Sequence, residues 1–203
     1  MRRIHDTNLV FVHIPKNAGQ AVTGSFGCPH QSTDHSLNSA EDRTFMGGQY
    51  VRFAVVRNPV NRFFSAYKYQ CHMKKINTDK VPLRKMIIEK GLDRNINEFV
   101  DRIIENRFDL RSDMWFRHQV FWLRSSSPQI LLRFENLKED INIVRALAPQ
   151  YFKGLEAINT SRGRDKSDNS DFILNRNSLS YIENFYERDF FYLSYDPALR
   201  QAL

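Results

Sequence analysis

Three short apolar runs punctuate this chain: Leu9-Val-Phe-Val12, Phe53-Ala-Val-Val56 and Ile130-Leu-Leu132. Runs of this length bounded by turn residues or charges predict buried strands, here near 9–14, 50–57 and 129–134. Between and after them the pattern changes to helical spacing. Ile96, Phe99, Val100, Ile103 and Ile104 recur as one helical face, which predicts a helix over 95–107. Further helices are predicted over 20–26, from Asn58 to about Met73, over 113–123, from Leu137 to near Pro149, and over 177–191. Ser39-Ala-Glu-Asp42 reads as another helix start. Phe63, Ala66, Tyr67 and Gln70 share a face of the second helix and are expected to pack on the sheet. Strands separated by helices argue for an α/β fold with a parallel sheet.

At 203 residues, with 41% hydrophobic and 13% aromatic positions, the chain suits a single domain, 1–203, with a real core. The net charge of +7 points to an anionic partner without choosing among nucleotides, acidic glycans, nucleic acid or a membrane surface. No aromatic interleaving or nucleic-acid motif accompanies the charge, so nucleic acid is not the expected partner. Cys28 and Cys71 show neither metal-ligand spacing nor a disulfide framework, and His30 and His35 lack a third ligand, so no metal is expected. No run is long enough to insert in a membrane, and residues 1–8 leave no room for a signal peptide's apolar core. The expectation is a cytoplasmic protein, or a chain trimmed of its anchor.

The candidate chemistry sits where predicted strands end. After the first strand comes His13-Ile-Pro-Lys-Asn-Ala-Gly19, a small-residue turn with Lys16 inside it. Such a turn lets backbone N–H groups approach an anion, and Lys16 adds a point charge; a plain loop lysine is the competing reading. After the second strand comes Arg57-Asn-Pro-Val-Asn-Arg-Phe-Phe-Ser-Ala-Tyr67. Asn58 and Pro59 suit a helix start. Arg57, Arg62 and Ser65 are expected to gather where the strand feeds the helix, the usual ligand position of open α/β sheets. An arginine suits phosphate through its bidentate fork.

Together these two segments resemble the membrane-type carbohydrate sulfotransferases (sulfotransferase family 2), the group of heparan sulfate 2-O- and chondroitin sulfotransferases and their bacterial relatives. The resemblance spans roughly Leu9 to Tyr195. It implies a P-loop-like three-layer fold, a central parallel sheet flanked by helices, although G-x-x-x-x-G-K-[ST] is absent. It implies sulfuryl transfer to a hydroxyl, on a carbohydrate, from 3'-phosphoadenosine 5'-phosphosulfate (PAPS), leaving the bisphosphate PAP. Pro15, Lys16, Asn17, Ala18, Gly19 and Gln20 would then face the 5'-phosphosulfate, and Arg57 and Ser65 the 3'-phosphate. Arg162 and Arg164, with Lys166, lie in a basic loop that resembles the family's fold-over loop.

His35 resembles the family histidine at the acceptor and is the expected general base, with His30, His118 and Glu41 in reserve. Gln20 and Ala21 depart from the hydroxyl residues usual after the glycine. That departure keeps open a non-catalytic nucleotide or acidic-glycan binder. His118-Gln119 matches a His/Gln element of the family and reads either as a ligand contact or as a core-edge pair. Glu135 reads as an orienter of a donor-site cation or as a cap for the next helix. The lysines and arginines of 72–94 read as a solvated helix surface or as an edge for an acidic glycan.

Overall fold

Leu9 to Val12 are all buried, and so are five of the six residues Val51–Val56, which is how strands covered on both faces read. The structure, a computed structural model, describes residues 1–28, 40–72, 81–155 and 173–197. It divides into two compact units, Met1–Asn58 with Gln119–Arg162 and Pro59–His118 with Gly163–Leu203.

The first unit holds a four-stranded sheet in the order β1 (Arg2–Arg3), β2 (Leu9–Val12), β3 (Val51–Val56), β4 (Ile130–Arg133). β2 and β3 are parallel with Val12 opposite Ala54, and β3 and β4 are parallel with Val56 opposite Arg133. This mostly parallel sheet flanked by helices is the expected α/β class. The sequence did not predict β1, which runs antiparallel to β2.

Helix α1 (Gly19–Ser25) follows β2, and α2 (Ala40–Thr44) precedes β3. Phe11, Phe53, Val55 and Leu132 form one face of the core, with Val22 and Phe26 from the α1 segment and Ile141 and Val144 from α7 (Leu137–Leu147). Arg52 is buried, and its guanidinium donates to the carbonyls of Ser126 at 2.8 Å and Phe45 at 3.0 Å. It ties β3 to α6 (Gln119–Ser126) and to the loop before the strand.

The second unit is helical: α3 (Pro59–His72), α4 (Pro82–Glu89), α5 (Ile96–Glu105), α8 (Arg176–Phe185) and α9 (Glu187–Leu193). Asn95 caps α5 by accepting from Asn97 N–H at 2.9 Å. The predicted α3 face is buried, but its partners are aromatic side chains of helices and their connections. Phe63 meets Phe116 edge-on at 5.0 Å, and Tyr67 meets Phe99 at 4.9 Å.

The helix predicted over 113–123 begins only at Gln119. Asp113 accepts from the N–H of Trp115 at 2.8 Å, which shapes a turn ahead of it. The helix predicted over 177–191 is two helices separated at Tyr186, whose hydroxyl donates to Phe116 O at 2.6 Å.

Candidate functional site

The loop leaving β2 is held from inside. Lys16 (φ 71°) and Ala18 (φ 59°) both adopt left-handed backbone, which costs a side-chain-bearing residue roughly 1–2 kcal/mol each. Two contacts offset that cost. The His13 ring, buried and stacked on Phe11 at 5.4 Å, lies directly over Gly19; a Cβ at position 19 would come within 1.6 Å of His13 Nε2. Asn17 is fully buried, and its Nδ2 donates to Val55 O and to Gln119 Oε1, both at 2.7 Å. With His13, Pro15 and Asn17 buried, the half-buried positions of the turn are Lys16, Ala18 and Gln20.

The end of β3 is gripped in the same manner. Gln119 Oε1 accepts Arg57 N–H at 2.9 Å, and Gln119 Nε2 donates to Arg57 O at 2.8 Å. The half-buried Arg57 side chain stacks over Phe134, with its central carbon 4.0 Å from the ring centroid, and its Nη1 donates to Lys16 O at 3.2 Å. Glu135 serves the turn that follows: its Oε1 accepts Asn58 N–H at 2.7 Å. The structure therefore brings Lys16 and Arg57 to one end of the sheet, on neighbouring parallel strands.

The other predicted residues belong to other elements. Ser65 is half-buried on α3, in the second unit. Arg62 does not join an open cationic cluster. It is fully buried, with its charge acting on the Tyr186 phenol, because position 62 lies on the inward face that also carries Phe63 and Ala66. His118 is in the second unit, its ring 4.9 Å from Phe185 and 5.4 Å from Tyr186. Burial holds its pKa below the usual histidine value; Asp189 opposes that shift, while Arg111, Arg62 and Arg188 add to it. Glu41 falls on α2. His30, His35, Arg162, Arg164 and Lys166 lie outside the described residues.

Sequence reasoning assigned no role to the His13 ring, to Phe134 or to the double grip of Gln119. The pair His118-Gln119 was the only signal for the last.

A lysine loop and an arginine follow neighbouring parallel strands and are linked by a hydrogen bond, in an α/β protein with the architecture of a P-loop-like fold. The model of the sulfotransferase family matches residues 1–196, and the chain belongs to that family. It is accordingly a transferase of sulfuryl groups. No curated protein and no solved structure matches it. Among the described residues no group of three or more His, Cys, Asp or Glu side chains is placed to hold a metal ion, and no helix is long and apolar enough to cross a membrane.

Proposed function

We propose that this sulfotransferase takes the sulfuryl group from PAPS and delivers it to a hydroxyl on a carbohydrate, as a single domain working in the cytoplasm without a metal. The observation that carries the reading is the hydrogen bond from Arg57 to the Lys16 carbonyl, which keeps two cationic residues on one sheet end. The donor set suits a doubly anionic nucleotide. Arg57 is stacked on Phe134 and so presents a pre-oriented fork, while Lys16 supplies a compact charge.

In this scheme Arg57 and Ser65 hold the 3'-phosphate, with Arg162 and Arg164 closing on the nucleotide. The backbone of Asn17 to Gly19 faces the 5'-phosphosulfate, with Pro15 shaping the turn and the Gln20 amide donating beside it. The acceptor oxygen attacks sulfur in line and gives its proton to His35. A new O–S bond forms as the bond from sulfur to the 5'-phosphate oxygen breaks. Lys16 neutralises the charge that grows on that departing oxygen. Placement and charge supply most of the acceleration, as in phosphoryl transfer.

Gln20 favours a second reading, because an amide stands where the resembling family carries a hydroxyl. A protein of this fold could bind PAP or an acidic glycan without turnover. Calorimetry with PAP, followed by transfer of labelled sulfate to a panel of glycans, tests both. PAP binding with labelled product supports the enzyme; PAP binding without product on any acceptor supports the binder. No PAP binding rejects the donor assignment.

A further inference from the structure

The side-chain amide of Gln119 makes one buried and two part-buried hydrogen bonds to two separate parts of the sheet end. Its Oε1 accepts from Asn17 Nδ2 at 2.7 Å and from Arg57 N–H at 2.9 Å, and its Nε2 donates to Arg57 O at 2.8 Å. Gln119 is 0% exposed, so replacing its amide would break all three of these bonds at once, while Asn17 Nδ2 keeps its bond to Val55 O. Arg57 lies one residue past the end of β3. There the glutamine presents an acceptor and a donor to Arg57 much as a neighbouring peptide group would. The same oxygen reaches across to the loop after β2.

We propose that Gln119 is a positioning residue that locks the Lys16 loop to the Arg57 strand end, so that the two cations meet an anion as one preformed unit. The proposal rests on the anion-binding reading given above. Chemistry restricts the residue type. The position must accept twice through one atom and donate through the next, while staying uncharged in a buried site. A glutamate would set a carboxylate oxygen against the Arg57 carbonyl and bury a charge. A methionine keeps the length and volume but makes none of the bonds.

Two variants, Gln119→Met and Gln119→Glu, guard against one of them failing to fold. The first readout uses ligand-free protein. Hydrogen exchange is expected to rise about tenfold or more at the Arg57 amide and through residues 16–19, with Phe53 at the sheet centre unchanged. The second is calorimetry with PAP on wild type, Gln119→Met, Arg57→Ala and the double variant. A lock predicts that Arg57→Ala costs much less affinity once Gln119 is gone, because the arginine is then no longer held in place.

Unchanged exchange at 16–19 in both variants overturns the proposal, and so do strictly additive losses of PAP affinity. Exchange that rises equally over the whole sheet also overturns it, since that marks general loosening. If wild type itself binds no PAP, the donor assignment fails, and the exchange pattern still decides the role of Gln119.

Discussion

The Arg57 guanidinium donates to the main-chain carbonyl of Lys16 at 3.2 Å, so the cation of one strand end is fastened to the loop of the other. The spacing between the two charges is therefore set by backbone as well as by flexible side chains. Phe134 beneath the guanidinium limits its motion further.

Arg57→Ala is expected to weaken PAP binding by roughly 2–5 kcal/mol, the range for removing one member of a desolvated charge pair. Arg57→Lys should recover only part of this, because an ammonium neither forks nor stacks flat on Phe134. Titration calorimetry measures both. Equal affinity for wild type and Arg57→Ala would remove the 3'-phosphate assignment.

Lys16→Ala should lower turnover about 10²–10³-fold, as when one preorganised transition-state donor is removed. Its circular dichroism and melting temperature should stay near wild type, since the lysine is only half-buried and alanine carries the same left-handed backbone penalty. Full activity in the variant would move the leaving-group role to another residue.

His35→Ala should depress the rate more than donor affinity, if His35 takes the acceptor's proton. Steady-state kinetics beside PAP calorimetry separates the two effects. A normal rate shifts the base to His30, His118 or Glu41.

Gly19→Ala should destabilise the first unit by about 1–3 kcal/mol or more, because the methyl group would overlap the buried His13 ring and overpack the loop. Urea denaturation reads the loss. Trimming the ring in the double variant His13→Ala/Gly19→Ala should restore part of it, and no restoration would mean that the contact is not what fixes glycine here.

His118 gives a pH test. Burial lowers its folded pKa, so between that value and the unfolded value near 6.5 the unfolded chain binds more protons. Its contribution to stability is complete above about pH 6.5 and is lost as the pH falls toward the folded pKa. The stability advantage of wild type over His118→Phe should therefore shrink between neutral and acid solution. A constant difference across that range contradicts the assignment.

Much of the first unit was legible in the chain because its strands are covered on both faces, which leaves uninterrupted apolar runs at Leu9–Val12 and in Val51–Val56. The meeting of Lys16 and Arg57 was legible too, since parallel neighbours end on the same side of a sheet. β1 was not, because two arginines carry no apolar signal and pair through backbone alone. Gln119 was missed as a clamp because its partners lie 62 and 102 residues away, and no local spacing encodes such a contact. Arg62 was misplaced by reading charge as exposure; its position on the helix, beside Phe63, was the better guide. The break between α8 and α9 left the amphipathic pattern intact and so was invisible in it.

The sheet's two margins are unequally guarded against strand-to-strand sticking between molecules. The Arg2–Arg3 ribbon seals the β2 margin with charge and with its own peptide groups. Among the described residues β4 forms the opposite margin and shows Leu131, 46% exposed. Concentrated preparations that cloud on storage should do so through that margin, and Leu131→Lys is the surface change that would clear them without touching the cationic end of the sheet.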